Sequence, residues 1–433
     1  AIKTTLKGVV TSAAPTGAYR GAGRPEASYC IERTIEAIAS ELGLDPVEVR
    51  KRNFITPEAF PYTTATGALY DSGAYAQALD VLLEQANYQG LRAEQARLRE
   101  QGRYIGIGLS FYIESCAMGG QQMSGRPDTA QTRITPQGKI VVDSASVDSG
   151  QGHATTFAYL AATEFAIPME QVEVRIGDSP QSHSLGTFGS RSLVVGGSAV
   201  TLSAREVKKK ALLLAAHLLE VAEGDLELSN GRVQVAGAPS KFYTLGQLAA
   251  FAEDVEQRQS YPENVRDELL QGLCSTHGFE PEDVVYPFGA HLAVIEVEIE
   301  TGEVKVQRYI GVDDCGKVIM PMLVEGQLHG ALAQGIGQAL YEQVLYEEHG
   351  QVLSSTLMDY AIPLATKLPT FELSHTETPS PRNVFGAKGI GEAGCIGAPT
   401  AVTNAVLDAL APLGVTTLDM PLTAEKVWRA IHR

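Results

Sequence analysis

Absent from these 433 residues is any C-x-x-C pair: the five cysteines, Cys30, Cys116, Cys274, Cys315 and Cys395, are an odd number set far apart. That excludes a disulfide framework, a zinc ribbon and an iron–sulfur cluster built by this chain. Positive charge is scarce, with 34 Lys and Arg against 51 Asp and Glu, a formal charge of −17 spread along the sequence. Such a surface repels phosphate backbones, so nucleic acid is not an expected partner. No apolar run reaches the roughly 18 to 20 residues that a membrane-spanning helix needs, and the opening AIKTTLKGVV has no signal-peptide pattern. The expected setting is reducing and cytoplasmic, although export of a folded complex on a partner's signal would leave no mark here. The nine histidines show no H-x-x-x-H or H-E-x-x-H spacing. This weakens a hydrolase reading with a metal on His153, His183 and nearby carboxylates.

What is there is a globular composition, 44 % apolar, long enough for two or three domains with a sizeable core. Residues 26–54 have apolar positions at helical spacing, in two pieces, with Pro46 placed as a first-turn residue. Residues 57–75, rich in Pro, Thr, Gly and Tyr, read as loop, followed by helices in AYAQALDVLLEQANY and LRAEQARLREQG. From Tyr104 the pattern turns to strands in YIGIGLSFYIES, KIVVDSASVD and VEVRIGD, with helix TTFAYLAATEFAI before the last. HLAVIEVEIE and EVKVQRYIGVDD predict a hairpin turning at Thr301-Gly302. LVEGQLHGALAQGIGQAL predicts a Gly-rich helix, and PTAVTNAVLDAL and AEKVWRAI close the chain as helices. The predicted class is α+β with mixed sheets.

Four Gly-rich segments combine glycine with hydrogen-bonding side chains: AYRGAGRP at 18–25, DSGQGH at 148–153, GTFGSRS at 186–192 and KGIGEAG at 388–394. Glycine lets backbone N–H groups approach a ligand, and Arg, Gln, Ser and Thr supply donors for phosphate or oxo groups. Together they suggest a large, polar, anionic cofactor. Singly each has a plain reading: GQGH as a turn into a helix that Thr155 or Thr156 helps start, Arg20 as a surface arginine, Glu392 as a solvated carboxylate.

In order, AYRGAGRPEA, DSGQGHATT, GTFGSRS, DDCG followed by VEGQLHG, and KGIGEAGCIGAP resemble the successive motifs of the xanthine oxidase and carbon monoxide dehydrogenase family of molybdenum enzymes. The resemblance runs along nearly the whole chain and implies the C-terminal portion of a molybdopterin-binding catalytic subunit. It implies that residues 1–99 complete a first molybdopterin-binding domain with its linker and that 100–433 form the second. Arg20 and Gly21 would lie beside the molybdenum. Gln151, Gly152 and His153 would hold the pyranopterin end. Thr187, Phe188, Ser190, Arg191 and Ser192 would take the dinucleotide phosphates, and Asp314 and Gln327 would contact the pterin. In K-G-x-G-E, Lys388 and Gly391 would belong to the cofactor loop, with Glu392 as general base for inserting water-derived oxygen at an electron-poor carbon. The metal, carrying oxo and sulfido ligands, would be held through the pterin dithiolene and not by the protein.

The departures from the family's pattern bear on the substrate. Copper-containing carbon monoxide dehydrogenases place a cysteine after the arginine, where this sequence has Gly21, so a soft ligand for Cu(I) is missing there. Ala22 stands where purine hydroxylases carry a phenylalanine, leaving room for a different or bulkier substrate. Tyr112 and Glu114 fall in the stretch that lines the substrate funnel of relatives. They are either substrate contacts or, respectively, a core residue and an arginine partner. Met320 replaces an expected Asn before Pro321, which removes one cap or cofactor contact.

The resemblance further implies molybdopterin cytosine dinucleotide as cofactor and electron transfer to a small subunit with two [2Fe–2S] clusters. A flavin (FAD) subunit or a haem acceptor would follow, in a complex that could pair into a dimer of heteromers. The family's catalytic subunits are nearly twice as long, and the G-G-x-F-G loop of their first half does not occur before Arg20. The expectation is therefore one half of a split subunit or a piece of a longer one, which would not hold the cofactor alone. A non-catalytic cofactor-binding or assembly paralogue is the alternative, and the retained Glu392 speaks against it.

Overall fold

The computed structural model describes residues 3–118, 127–178 and 185–432. The chain divides into two compact units: one holds the residues up to Cys116, Val285–Pro381 and those from Lys388 on, and the other holds Ala117–Val284 with Arg382–Ala387. Both are sheets with helices packed on them, the α+β class expected.

In the first unit Tyr104–Ile113, Phe288–Val297, Val304–Asp314 and Phe371–Thr376 lie side by side in that order. All neighbours are antiparallel except the last pair, which is parallel. The predicted hairpin forms, with Gly302 in the left-handed region at φ 75° and Val297 opposite Val304. Val304 and Val306 are buried between exposed Lys305 and Gln307, but every residue from Tyr309 to Asp314 is buried. The alternation stops because both faces of the sheet are covered there. Helices Pro321–Leu340 and Ala393–Leu410 cover one face, and Tyr75–Ala86 with Tyr88 and Leu98 of the next helix covers the other.

Helix Ala393–Leu410 is apolar on every side, which demands an interior position, and every residue in it except Asp408 is buried. Thr403 donates to the Pro399 carbonyl at 2.8 Å, and Asn404 donates to the Leu109 carbonyl and accepts from Arg33, both at 2.7 Å. Asp408 takes the guanidinium of Arg92 at 3.0 Å. The helix lies so close to strand Tyr104–Ile113 that a side chain at Gly106 or Gly108 would collide with the backbone of Ala401 or Ala405.

This helix starts six residues before the PTAVT segment where the sequence predicts it. Pro399 suggests a first turn but sits inside the helix, its ring facing Gly335, where an added Cβ would be 3.0 Å from the ring Cδ. Tertiary packing overrides the local preference, and Glu392 becomes the residue at the helix N-cap. Met320 holds the same position on helix Pro321–Leu340 and offers no side-chain cap, as its identity predicts. The stretch read as loop at 57–75 holds a short 3-10 turn, Pro57–Ala59, and two-residue strands Tyr62–Thr63 and Leu69–Tyr70.

In the second unit the sheet order is Cys274–Phe279, Asp128–Ile134, Ile140–Ser144, Val172–Ile176. The last two strands are parallel, joined by helix His153–Phe165. A six-residue π-helical turn, Ser192–Gly197, leads into the long helix Ser198–Leu219, and a small three-stranded sheet spans Leu226 to Thr244.

Backbone contact at Gly108 leaves no movable atom to accept a methyl group. Gly108→Ala is expected to cost about 3 kcal/mol, the upper range for overpacking, read as a lowered urea midpoint. A loss below about 0.5 kcal/mol, the level of a surface change, would contradict this packing.

Candidate active site

In the first unit, two segments more than 300 residues apart in sequence meet at Arg20 and Glu392. Arg20 donates from Nε to the Gly391 carbonyl, from Nη1 to Gln334 Oε1 at 2.9 Å, and from Nη2 to the carbonyl and Oε1 of Gln327 at 2.9 and 3.0 Å. The next residue completes the ring, because the Gly21 N–H donates to Glu392 Oε1 at 2.9 Å. Gly21 has φ 99°, and an added Cβ would stand 2.7 Å from Pro25 Cγ. Both the turn and the close approach require glycine.

Helix Pro321–Leu340 presents Gln327, Gly330 and Gln334 on one face, at the i, i+3, i+7 spacing that aligns side chains. Gly330 leaves room for the guanidinium, since a Cβ there would lie 3.4 Å from Arg20 Nη1. Gln334 escapes the motif comparison, although its seven-residue offset from Gln327 points to it. Glu392 is 8 % exposed, so it is not the solvated carboxylate of the plain reading, and it sits at the positive end of a buried helix. Cys395, one turn on, donates its thiol to the Ala331 carbonyl at 3.4 Å. Burial pushes that thiol up to about 12, with Arg20 pulling it down and Glu392 adding to the rise.

Behind this ring the KGIGE loop is anchored. Lys388 is buried and donates from Nζ to the Ser72 carbonyl and Thr378 Oγ1, both at 3.1 Å. Asp314, also buried, accepts from the N–H of Gly316 and Thr378 and from the hydroxyls of Thr376 and Thr378, at 2.9 to 3.1 Å. Burial raises the Asp314 carboxyl against the pull of Lys388, and burial lowers the Lys388 ammonium against the pull of Asp314. The two tie the loop to the ends of the strands. Tyr112 is 2 % exposed and donates to Asp313 Oδ1 at 2.5 Å. That carboxylate also meets His291 Nε2 at 3.1 Å, and His291 Nδ1 meets the Tyr309 hydroxyl at 2.9 Å. Tyr112 packs with Leu328, Ala393 and Ile396 next to the Glu392 turn. Glu114 is fully buried and Ala22 exposed.

In the second unit the GQGH and GTFGSRS segments meet at Val147. The Thr187 hydroxyl donates to the Val147 carbonyl at 2.5 Å and accepts its N–H at 3.2 Å, while His153 Nδ1 reaches the same carbonyl at 3.0 Å. The Ser192 hydroxyl donates to Thr187 Oγ1 at 3.2 Å. Asp148 organises the loop by accepting the N–H groups of Gly150 and Gln151 at 2.9 Å, and Gln151 Oε1 accepts the Ser149 N–H. Helix His153–Phe165 starts at Gly152 with no side-chain cap, and Thr156 only bonds back to the Gly152 carbonyl. Arg191 is 1 % exposed and is committed to Asp128, at 2.9 and 3.1 Å, and to the Gly186 carbonyl at 3.0 Å. Its guanidinium lies 5.6 Å from the centre of the Phe188 ring. Ser190 takes φ 52° in the turn between them. His183 lies outside the described residues.

These loop residues suit an anionic group. Among the described residues no cluster of three or more His, Cys, Asp or Glu could hold a bare metal ion. Gly150, at φ 99°, and Gly186, at φ 97°, both have open space where a side chain would project, which suits a ligand lying against the backbone.

Removing the carboxylate by Asp128→Ala strands the buried Arg191 and is expected to cost about 3–5 kcal/mol, seen as early unfolding in thermal melts. His153 is held below its ordinary 6.5, first by burial, with the Val147 carbonyl and Asp148 opposing. Unfolded histidine binds its proton at about 6.5. The folded state is therefore favoured above that pH and loses stability as pH falls through the lower folded value. An NMR titration of His153 is expected to show a midpoint below 6.5, and a midpoint above it would reverse the sign.

A profile of the molybdopterin cofactor-binding domain matches residues 81–369, and a second such profile matches residues 1–54. The chain is 42 % identical over 438 residues to the carbon monoxide dehydrogenase large chain of Hydrogenophaga pseudoflava, covering 99 % of this chain and 53 % of that one. It is 35 % identical over 431 residues to the nicotine 6-hydroxylase large subunit of Paenarthrobacter nicotinovorans, covering 98 % and 52 %. Quinoline 2-oxidoreductase from Pseudomonas putida 86 superposes with a TM-score of 0.90 at 37 % identity, over 97 % of this chain and 53 % of that one. The chain spans about half the length of the curated relatives it matches. The resemblance read from the motifs is thus borne out, and the chain belongs to the molybdopterin cofactor-binding family of the molybdenum hydroxylases.

Proposed function

We propose that this chain is the part of a catalytic subunit that carries the general base of a molybdenum-dependent hydroxylase or dehydrogenase. The substrate class is an aldehyde or an N-heteroaromatic compound with an electron-poor carbon. The single observation that carries this reading is the ring joining Arg20 and Gly21 to Gly391 and Glu392. When bound, the molybdenum–pterin group supplies the two-electron oxidant and the water-derived oxygen.

The chain's own contribution is a positioned proton acceptor. The Gly21 N–H orients the Glu392 carboxylate, and the first turn of a buried helix fixes its backbone. Glu392 then takes a proton without first being ordered, the condition under which a general base is worth most. Arg20 is locked by three acceptor residues and supplies a fixed positive charge that steadies an oxo-rich ligand. Gln327 and Gly391 shape that wall, with Lys388 and Asp314 behind them. In the second unit, Gln151, Gly152 and His153 take the pterin end, and Thr187, Phe188, Ser190, Arg191 and Ser192 the dinucleotide phosphates, with cytosine as the base. Arg191 acts there by shaping the loop, given its commitment to Asp128. Ala22, Tyr112 and Glu114 belong to the substrate side, Tyr112 from within the core.

Residues 1–99 then complete one cofactor domain and 100–433 make the second. The rest of the catalytic subunit's length, a small [2Fe–2S] subunit and a flavin or haem acceptor complete a cytoplasmic complex. No helix among the described residues is long and apolar enough to cross a membrane.

A second reading, a copper-type carbon monoxide dehydrogenase, is favoured by the 42 % identity to a carbon monoxide dehydrogenase large chain. Against it stands Gly21 itself, which carries no thiolate to ligate Cu(I). Copper analysis and carbon monoxide oxidation separate the two.

Acid treatment of the intact complex is expected to release molybdenum and CMP. Glu392→Gln is expected to keep the molybdenum content and to lower turnover by roughly 10² to 10⁴. Turnover that survives the substitution would overturn the role of Glu392.

A further inference from the structure

Beneath the first turn of helix Ala393–Leu410 the sheet carries a polar cluster that the proposed chemistry leaves unused. Tyr112, Gly289 and Asp313 stand opposite one another on three neighbouring strands, so they share one face of the sheet. Gly289, in the middle, lets the tyrosine ring lie across the central strand, because an added Cβ would stand 2.7 Å from Tyr112 Cε1. The hydroxyl thereby reaches Asp313 Oδ1 at 2.5 Å, and His291 Nε2 meets the same oxygen at 3.1 Å. The Tyr309 hydroxyl closes the row at His291 Nδ1, 2.9 Å away. A proton on Nε2 gives every group one role: Tyr309 donates to Nδ1, while Nε2–H and the Tyr112 hydroxyl both donate to Asp313. All four side chains are buried. Asp313 Oδ2 has no hydrogen-bond partner among the described residues. A buried carboxylate with one oxygen unpartnered costs stability, so stability alone does not account for the cluster.

Its position does. Tyr112 packs in one cluster with Leu328, Ala393 and Ile396, and each of these adjoins a member of the ring around Glu392. Ala393 follows Glu392 and Leu328 follows Gln327, while Ile396 lies against Gly21, where an added Cβ would be 3.5 Å from its Cγ1. His291 lies under the same helix at Gly397, which has no room for a side chain against the imidazole. The tyrosine ring therefore bears at once on the neighbours of the base, of the Arg20 acceptor and of the N–H that orients the base. An apolar ring in that place could slide, whereas a hydroxyl tied to a buried carboxylate fixes the depth and plane of the ring. We propose that Tyr112 and Asp313 are positioning residues, which hold the first turn of helix Ala393–Leu410 at the height where the Gly21 N–H meets Glu392. The proposal deepens the functional reading and rests on it for the role of Glu392 as general base.

The test uses the intact complex and reads hydrogen exchange at the Gly21 amide together with kcat and KM. Tyr112→Phe keeps the ring and removes the hydroxyl. It is expected to speed exchange at Gly21 about tenfold or more and to leave exchange in helix Ser198–Leu219 unchanged. It is also expected to lower kcat by roughly 10 to 10² with KM unchanged, the scale and pattern of a misplaced catalytic group. Asp313→Leu is expected to match it, and Asp313→Asn, which keeps an acceptor oxygen for both donors, to restore exchange and turnover to those of the unsubstituted protein. Unchanged exchange at Gly21 in Tyr112→Phe would overturn the proposal. So would faster exchange spread over both units, or an Asp313→Asn variant no better than Asp313→Leu. Glu392→Gln keeps the two readings apart. Normal turnover in Glu392→Gln, with the Gly21 amide still freed by Tyr112→Phe, removes only the role of Glu392 as base. An inactive Glu392→Gln, with exchange unchanged in Tyr112→Phe, removes only the positioning.

Discussion

The geometry at Glu392 depends on how closely one helix backbone approaches its neighbours. Helix Ala393–Leu410 touches strand Tyr104–Ile113 through Gly106 and Gly108. It meets helix Pro321–Leu340 through Gly394 and Gly335, where an added Cβ would stand 2.7 Å from Leu332 N or from Ala398 Cβ. Backbones that meet without intervening side chains have almost no soft degrees of freedom, because close-packed atoms cannot yield as rotamers can. The residue at the helix N-cap, Glu392, inherits that rigidity, as do Gln327 and Gln334 on the neighbouring helix. The ring through Arg20 and Gly21 is possible because both anchors are held in this way.

The charged groups follow the same logic of being engaged before a ligand arrives. Arg20 is bound by Gly391, Gln327 and Gln334, Arg191 by Asp128, and Lys388 by Ser72 and Thr378. Arg191 and Lys388, which the sequence places among the cofactor-binding residues, are both buried and already bonded within the protein. Preorganised dipoles and charges need no reorganisation at the moment of reaction, which is where electrostatic catalysis gains most.

Elements with one strong local signal were readable from sequence: the Thr301-Gly302 hairpin, the helices flanking Asn87, and the two-piece helix around Pro46. The failures have a common cause. Pro399 reads as a helix start because an isolated chain would break there, yet its ring faces Gly335 and the helix continues through it. The burial of Tyr309 to Asp314 on both faces likewise removes the alternation that a strand half exposed to water would keep.

At the site, the order and content of the Gly-rich motifs were sufficient to assign the family, because glycine and glutamate at set positions are demands of the backbone and of the chemistry that survive in one dimension. Sequence also named Arg20, Gly21, Gln327 and Glu392. It did not show that the Gly21 N–H is the donor that orients Glu392, that Gln334 shares Arg20, or that Asp314 and Lys388 stand buried behind the loop. Those facts join residues up to 371 positions apart. Hydrogen-bond partners at such separation are chosen by how helices and strands pack, and packing is set by the whole chain at once and not by any local pattern along it.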